Sequence, residues 1–381
     1  MNIPKLRFKD NNGNDYPQWE KKKLGDIVQF LDNKRKPLEQ SERIHGKYPY
    51  YGASGIIDYI NNYIFDEELV LLSEDGANII DRNYPICYIA TGKYWVNNHA
   101  HVLKTKSQYL NKFLCEALER LNYNKYNTGT AQPKLNQDIC KNILLNIPIL
   151  HEQEKIANFF STIDKKIKNL ANTITSLENQ KKGLLQQIFS QKLRFKDKNG
   201  NNYPNWEKKK LEDISNITMG QSPDSDFVNT EKIGTPFLQG NAEFTNKYPI
   251  EKYWCTKPQK IANPTDILLS VRAPVGAINI ANKKFCIGRG LSAISFNCNK
   301  LFGKYNLKFN LFQLIKKSQG STFSSINKKD ISEVILFIPC LEEQTKIADF
   351  LSAFDRKLEN QKAQLEHWKQ IKKGLLQQMF V

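Results

Sequence analysis

The sequence predicts a mixed α/β (α+β) protein in which two globular bodies alternate with two long helices. Two observations support this prediction: a segment near the start of the chain recurs almost unchanged at mid-chain, and a long heptad pattern also occurs twice. Elsewhere the two halves share only scattered short matches. The repeated parts therefore indicate one frame, with pseudo-two-fold symmetry, that holds two dissimilar bodies.

The first repeated element, called the opening segment below, covers residues 5–27 and again residues 192–214. The two copies are identical at 19 of 23 positions, at a constant offset of 187 residues. Solenoid repeats recur every roughly 20–50 residues, so this longer period indicates two domain-sized copies. Each copy contains a lysine run, Lys21–Lys23 or Lys208–Lys210. Such a run is usually a solvated face, but its place beside each body also suits contact with phosphate groups.

The two bodies, residues 28–150 and 215–341, mix short apolar runs typical of strands with turns and short helices. ELVLLSEDG at 68–76 and DILLSVRAPVG at 266–276 are predicted to be equivalent strand-to-loop segments. Each body ends in an apolar run that passes through a proline into a long helix. Mixed α/β bodies follow from this pattern.

Each long helix carries an a/d heptad pattern, with gaps that alternate between four and three residues. The first seam consists of Ile156, Phe160, Ile163, Ile167, Leu170, Ile174, Leu177, Lys181, Leu184 and Ile188. The second consists of Ile347, Leu351, Phe354, Leu358, Gln361, Leu365, Trp368, Lys372, Leu375 and Met379. Matching seams of this length favour packing of the two helices against each other. The alternative is that each helix packs only on its own body.

The distribution of identities along the helices indicates an antiparallel coiled coil. Residues 151–189 and 342–380 agree at 18 of 39 positions, and none of these matches lies between residues 170 and 180. In an antiparallel pair the start of each helix packs on the end of the other, so this contact occurs twice and keeps both ends alike. The predicted organisation is then a first body at 1–150, a helix at 151–190, a second body at 191–341 and a helix at 342–381.

Several apolar residues that match between the helices lie off the seam. They are Ala157, Phe159, Leu185 and Phe189 in the first helix, and Ala348, Phe350, Leu376 and Phe380 in the second. One interpretation is packing on the adjacent body. The other is a docking surface, present twice, for two copies of a partner, because exposed apolar patches mark interaction sites. These eight residues are therefore the candidates for partner binding.

The bulk composition suits a partner with many negative charges. The chain of 381 residues has a formal net charge of +17, which would attract a polyanion such as nucleic acid, although charge also solubilises. The seven cysteines form no CxxC pair, so they favour a reducing compartment over a disulfide framework or a zinc ribbon. Without an apolar signal core or an 18-residue apolar run, we expect a cytoplasmic protein that does not enter a membrane.

At this point the motifs resemble a known family. The opening YPxWExxxL, the helix start IPxLxEQxKIAxF, the GLLQQxF ending and LLSVRAPVGAINIA followed by IGRGLSAI are similar to type I restriction–modification specificity subunits. The resemblance implies two target-recognition domains, each reading half of an interrupted site in double-stranded DNA. It also implies that the helices set the spacing and carry two modification subunits, which methylate adenine at N6 with S-adenosylmethionine. Restriction subunits would add ATP- and Mg²⁺-dependent translocation and cleavage.

The resemblance implies a reader that supplies no chemistry and binds no cofactor itself. The sequence agrees, because it contains neither a GxxxxGK[ST] phosphate loop nor an Asn/Asp-Pro-Pro-aromatic methyltransferase motif. IGRGLSA supplies only two glycines of a dinucleotide-binding pattern, and the carboxylates form no nuclease cluster. His99 and His101 resemble the start of a metal site, but no third ligand stands at a standard spacing. We expect no metal here.

Base contacts are expected from polar side chains on loops of the bodies, since Arg, Lys, Asn and Gln read base edges. In the first body the candidates are Lys93, Tyr94, Asn97, Asn98 and His99, beside the loops at 50–55 and 73–78. In the second body they are Gln221, Gln239, Asn241, Arg272 and Arg289. Some of these residues would instead serve the scaffold. Two other functions remain open from the residues alone: an autonomous DNA-modifying enzyme, and a coiled-coil scaffold or adaptor.

Overall fold

The chain folds into two compact units, each of which combines one body with the start of one long helix and the end of the other. The first unit comprises Met1–Asn172 and Ala363–Val381, and the second comprises Thr173–Lys362. The computed structural model describes residues 4–107, 109–129, 131–245, 248–319 and 325–380, with the side chains of 318 and 319 left aside. Within those residues, no helix combines the length and the apolar character needed to cross a membrane.

The first unit contains two four-stranded sheets and a separate two-stranded ladder. The sheets have the orders β2-β9-β6-β7 and β4-β3-β8-β5, and β1 pairs with β10. The elements are β1 (Glu20–Lys23), α1 (Leu24–Ile27), β2 (Val28–Phe30), β3 (His45–Gly52), β4 (Gly55–Ile60), β5 (Phe65–Asp66), β6 (Leu69–Ser73), α2 (Asn78–Asp81), β7 (Cys87–Ala90), β8 (Lys93–Val96), β9 (Ala100–Thr105), α3 (Asn111–Arg120), α4 (Gln137–Lys141), β10 (Leu144–Ile147) and the long helix α5 (Leu150–Phe189).

The second unit repeats this plan with an enlarged second sheet. Its sheets have the orders β12-β20-β17-β18 and β13-β15-β14-β19-β16, and β11 pairs with β21. The elements are β11 (Glu207–Lys210), α6 (Leu211–Ile214), β12 (Ser215–Met219), β13 (Val228–Asn229), β14 (Thr235–Leu238), β15 (Tyr253–Cys255), β16 (Ile261–Ala262), β17 (Ile267–Ser270), β18 (Ile278–Ile280), β19 (Phe285–Ile287), β20 (Leu291–Phe296), α7 (Lys300–Asn310), α8 (Phe312–Gln319), α9 (Lys328–Ser332), β21 (Ile335–Ile338) and α10 (Leu341–Met379).

The predicted equivalence of the two strand-to-loop segments is confirmed by strand register. Ser73 at the end of β6 pairs with Ala100 of β9, and Ser270 at the end of β17 pairs with Leu291 of β20. All residues of β6 and β17 are buried, as their continuous apolar runs require. The mixed α/β class is likewise confirmed, and the two bodies share one fold although their sequences differ.

The opening segment is a structural clamp on the start of each long helix. In the first unit the Arg7 guanidinium binds both carboxylate oxygens of Glu152, at 3.0 and 2.7 Å, and the Trp19 indole N–H donates to the same carboxylate at 3.0 Å. The Glu152 side chain is fully buried, and a buried carboxylate needs such partners to offset its lost hydration. The second opening segment repeats the arrangement through Arg194, Trp206 and Glu343.

The long helices pair antiparallel within each unit, as the distribution of identities predicts. In the first unit Ile156 and Phe160, near the start of α5, share a core with Met379 and Phe380 at the end of α10. In the second unit the end of α5 shares a core with the start of α10. The same contact is therefore made twice, once in each unit.

The lysine in each seam is paired with an aspartate of the opposite helix. Lys372 Nζ lies 2.8 Å from Asp164 Oδ1 in the first unit, and Lys181 bonds to Asp355 in the second. The Tyr305 hydroxyl of the second body also donates to Asp355, at 2.5 Å. A polar group at a seam position favours the one alignment that satisfies it, so these pairs help to fix the antiparallel register.

Candidate nucleic-acid interface

In the second body, three loops that carry predicted DNA-binding residues are tied together by backbone hydrogen bonds. Gly288 N–H donates to the Leu238 carbonyl at 2.8 Å, and Gly290 N–H donates to the Gln239 carbonyl at 3.2 Å. Val271 N–H in turn donates to the Gly290 carbonyl at 2.9 Å. The structure therefore brings Gln239, Arg272 and Arg289 to one edge of the body, and all three side chains are exposed.

The loop that follows β12 joins the same edge. Gln221 N–H donates to the Ile287 carbonyl at 2.9 Å. The hydroxyl of the next residue, Ser222, lies 3.0 Å from the side-chain amide of Gln239 and accepts from Arg289 N–H at 3.3 Å. Gln221 is exposed, and the half-buried Asn241 stands two residues after Gln239. All five residues predicted in this body thus lie on linked loops.

Close packing explains the two glycines on either side of Arg289. A Cβ atom on Gly288 would lie 2.6 Å from Gln239 Oε1, and one on Gly290 would lie 2.6 Å from the Gln239 carbonyl. A side chain at Gly290 would require the backbone to shift, whereas one at Gly288 would displace the Gln239 side-chain amide and lie 3.0 Å from the Gln239 Cα atom. The Gly-Arg-Gly sequence therefore locks the 287–291 loop against the β14 loop and presents the arginine outward, which accounts for its glycines without a phosphate-binding role.

The first body forms the same loop junction with different side chains. Asn97 N–H donates to the Tyr51 carbonyl at 3.0 Å, and Glu74 N–H donates to the His99 carbonyl at 2.9 Å. These two bonds correspond to those that Gly288 and Val271 make in the second body. By this correspondence Asn98 takes the place of Arg289, and Asp75 takes the place of Arg272.

Two of the residues predicted as DNA contacts in the first body are buried, and for these the prediction was wrong. Tyr94 is fully buried, with its ring stacked on Phe65 at 5.6 Å between centroids. Asn97 is 4% exposed, and its side-chain oxygen accepts from His99 N–H at 2.8 Å. Tyr94 serves the core of the sheet, and Asn97 shapes the loop that follows β8.

Lys93 is exposed but stands away from the loop junction. It begins β8, whereas the junction follows the end of that strand, about 13 Å further along at roughly 3.3 Å per residue. Its ammonium lies 4.6 Å from the centroid of the Tyr63 ring and 3.9 Å from Asp66. The structure therefore groups only Asn98 and His99, both exposed, at the junction.

Asp75 is the residue at this junction that was not singled out from the sequence. Its carboxylate lies 2.8 Å from His99 Nδ1. The alignment of ELVLLSEDG with DILLSVRAPVG contains the signal, because it places Asp75 opposite Arg272, a predicted base reader. The equivalent positions thus carry an acidic group in one body and a basic group in the other.

His101 belongs to a buried cluster that the histidine spacing did not show. Asp32, Glu74 and His101 offer ligand atoms that all lie within 4.8 Å of one another. The two carboxylates come from distant parts of the chain, so no local spacing could identify them. The neighbouring His99 takes no part in this cluster, since it is half-exposed and bonded to Asp75.

Most of the predicted partner-binding residues are buried in the cores of their own units, so their assignment to a docking surface was wrong. Ala157, Phe189, Ala348, Leu376 and Phe380 are each no more than 8% exposed. These five residues supply internal packing, the alternative that the sequence left open.

The other three predicted docking residues are half-buried on their own chain. Phe159 packs edge-on against Phe8, at 5.6 Å between centroids, and Phe350 packs in the same way against Phe195, at 5.5 Å. Leu185 packs against the core of the second unit. Phe159 and Phe350 thus form the packing sites for the opening segments. A docking role for the partly exposed faces of Phe159, Phe350 and Leu185 stays a prediction.

Comparison with known proteins identifies the family. The family model described as the type I restriction modification DNA specificity domain matches the chain twice, over residues 16–179 and 203–367. The chain belongs to this family. Each match runs from the opening segment through a body into a long helix, so the repeated unit of the family and the repeated unit of this chain coincide.

Named relatives agree with this assignment. The putative type I restriction enzyme MjaX specificity subunit of Methanocaldococcus jannaschii is 37% identical over 276 residues, which are 69% of this chain and 65% of that protein. The putative type I restriction enzyme specificity subunit S.HindORF215P of Haemophilus influenzae is 26% identical over 88% of this chain and 87% of its own length. The aligned part of this chain thus spans just under two thirds of the first relative.

Solved structures show the same fold at low sequence identity. The type I restriction–modification S subunit from M. genitalium superposes with a TM-score of 0.67 at 17% identity, covering 100% of this chain and 99% of that chain. A chain from a structure of type I restriction–modification complex assembly gives a TM-score of 0.59 at 23% identity, covering 95% and 97%. The two-body, two-helix architecture is therefore a known one.

Proposed function

We propose that this chain is the DNA-reading subunit of a type I restriction–modification complex, and that each body reads one half of a bipartite site in double-stranded DNA. One observation carries the proposal. The same loop junction occurs in both bodies, held by the same backbone hydrogen bonds, yet equivalent positions present different side chains. A repeated frame with unlike reading groups suits a target whose two halves differ in sequence.

The side chains at the two junctions suit different bases. In the second body Arg272 and Arg289 match the bidentate contact of arginine with guanine, and Gln221 and Gln239 match adenine. In the first body Asp75 offers a carboxylate, which accepts from the amino group of cytosine. The exposed lysines of the opening segments, next to each body, supply sequence-independent contacts with phosphate groups.

The complex would also contain two modification subunits and restriction subunits, by analogy with the family. S-adenosylmethionine, ATP and Mg²⁺ would bind those partners, and adenine-N6 methylation and DNA cleavage would be their reactions. This chain would contribute recognition and spacing but no catalytic group, and the complex would act in the cytoplasm. The partly exposed faces of Phe159, Leu185 and Phe350 are the remaining candidates for partner docking.

Mapping of methylated adenines tests the proposal. Cells that express the modification subunit with this chain should show methylation at one interrupted sequence, and cells without the chain should show none at that sequence. Methyl transfer by the purified chain alone would instead favour an autonomous enzyme. Failure of the assembled complex to bind any specific sequence would favour a scaffold.

A further inference from the structure

Beneath the loop junction of the first body lies a buried network of charged side chains. His101 Nδ1 is 2.6 Å from Asp32 Oδ2, and His101 Nε2 is 2.7 Å from the Leu135 carbonyl. Arg35 lies 2.6 Å from Glu74. The His101 side chain is 1% exposed, and those of Asp32, Arg35 and Glu74 are at most 13% exposed.

With Asp32 ionised, the contacts of His101 make its ring an imidazolium. A backbone carbonyl only accepts hydrogen bonds, so Nε2 must carry a proton to bond with Leu135. A carboxylate also only accepts, so Nδ1 carries a second proton toward Asp32. Burial alone would lower the pKa of His101, but the hydrogen bonds and the charge of Asp32, with Cys140 beside the ring, raise it to about 10. For Asp32, burial would raise the pKa, and its bonds to His101 outweigh this and lower it.

The network holds the backbone of the loops that carry the predicted readers. Arg35 Nη1 donates to the carbonyl of Ala100 at 2.8 Å and to that of Asn98 at 3.3 Å. Asp32 accepts from the backbone N–H of Val102 at 2.9 Å. Hydrogen bonds from the network thus hold the backbone of the loop at 97–100 on both sides of His99.

A second tie leads to the loop that carries Asp75. Leu135 accepts from His101 through its carbonyl, and its own N–H donates to the Glu74 carbonyl at 2.7 Å. Lys134 adds an ion pair with Glu74, at 3.4 Å. The positions of Asp75 and His99 therefore depend on the same buried charges.

The second body holds its junction in a different way. In the first body His101 pairs with Leu72, and in the second body Ser292 pairs with Leu269. Ser292 is therefore the equivalent of His101. Ser292 is also paired with Met219, and its hydroxyl has no hydrogen-bond partner among the described residues. The junction there is locked by the close packing of Gly288 and Gly290. An uncharged substitution at Ser292 therefore provides a matched control.

A metal ion is a poorer explanation for this cluster. Both nitrogens of His101 are already hydrogen-bonded. Two carboxylates, Asp32 and Glu74, face three cationic groups, namely His101, Arg35 and Lys134. The negative charge that would attract a divalent cation is therefore already neutralised.

We propose that His101 and Asp32 are positioning residues that set the base preference of the first body by holding the Asp75 and His99 loops, while the second body does not depend on such a network. This inference rests on the proposed assignment of one half-site to each body. Neither residue would touch DNA, since both side chains are at most 9% exposed.

The test compares His101→Gln and Asp32→Asn with the control Ser292→Ala, each assembled with the modification subunit. The readout is methylation at sites that carry one mismatch in either half, measured across a genome. For the two network variants we expect about a tenfold rise in methylation at first-half mismatches, the size of one lost base discrimination, and no change for second-half mismatches. The control should change neither half.

Unchanged first-half discrimination in a folded His101→Gln protein would overturn the inference, and so would an equal loss in both halves. A failure of the proposed function is distinguishable, because exchange of the whole first body in an otherwise unchanged chain would then alter both half-sites or neither.

The charge of His101 can be tested by spectroscopy on the unsubstituted chain, with His101→Gln used only to assign the signals. In ¹⁵N-histidine spectra at pH 8.5, one ring should remain doubly protonated, and its signals should be missing in His101→Gln. A neutral His101 ring at that pH would overturn the inference. Because the pKa is raised from 6.5 to about 10, the stabilisation is fully present below pH 6.5 and is lost as the pH rises through 10.

Discussion

Replacing Glu152 with glutamine should destabilise the first unit strongly, because one buried carboxylate there accepts three hydrogen bonds from two residues of the opening segment. Glu152 is fully buried and takes both bonds of Arg7, at 3.0 and 2.7 Å, and that of Trp19, at 3.0 Å. The glutamine has the same shape but no charge, and its amide group would face a donor. The substitution therefore leaves the Arg7 cation without its counter-charge.

The size of the effect follows from the exposure of the arginine. Removing one member of a buried ion pair costs about 3–5 kcal/mol. The Arg7 side chain is 18% exposed and keeps its bond to the Pro17 carbonyl at 2.8 Å, so we expect the lower end, about 3 kcal/mol. For a unit of roughly 190 residues, each kcal/mol shifts the melting temperature by about 2–4 °C. The expected loss is then about 6–12 °C.

Differential scanning calorimetry of the purified chain measures this loss. Glu343→Gln should cost the second unit a similar amount, since Arg194 and Trp206 bind Glu343 in the same way. Glu154→Gln, at an exposed position of the same helix, should shift the melting temperature by less than about 2 °C. A shift of that small size for Glu152→Gln would refute the role of the clamp.

Two further predictions concern reading and spacing. Arg272→Ala and Arg289→Ala should weaken specific binding by about 1–3 kcal/mol more than non-specific binding, measured by competition at fixed salt. An equal loss of specific and non-specific binding would assign these arginines to phosphate contact or to the fold. Insertion of one heptad after Leu170 and one after Gln361 preserves both seams and adds about 10 Å, so the unspecified spacer in the methylated site should grow by about three base pairs. An active variant with an unchanged spacer would show that another part of the complex sets the distance.

The frame could be predicted from the sequence because its physical signals are local or repeated. The seam residues of each helix stand at fixed spacings, and an antiparallel contact that is made twice leaves a symmetric trace of identities. No comparable sequence signal identified the partners of the off-seam phenylalanines. Phe8 and Phe195 reach Phe159 and Phe350 from segments about 150 residues away along the chain, so the fold alone decides that these aromatics pack inside.

The exposure of a predicted reading residue could be anticipated where a loop sequence has one structural meaning, and its contact with DNA stays a prediction. Arg289 lies between two glycines that pack closely against Gln239, and its own side chain is exposed. In the first body Lys93 to Val96 combines a lysine with aromatic residues, a pattern that suits either a binding loop or a strand. The sheet order places β8 between β3 and β5, which buries Tyr94 and Trp95, and this order is not contained in the local sequence.

The charged network at His101 was not predictable for a similar reason. Asp32, Glu74 and His101 become neighbours because β2, β6 and β9 lie in one sheet, where strand order, not sequence distance, decides contact. A pair of histidines at alternate positions was the only local signal. It gave no sign of the two carboxylates that lie beside the His101 ring in the structure.

The measurement that tests the central claim most directly is methylation mapping of a body exchange. Residues 28–150 are replaced by the equivalent body of a relative with a different target, and the chimera is expressed with its modification subunit. Two independent readers on one frame predict that one half of the methylated sequence changes, while the other half and the spacer stay as they were. A change in both halves, in a chimera that still methylates, would contradict the account.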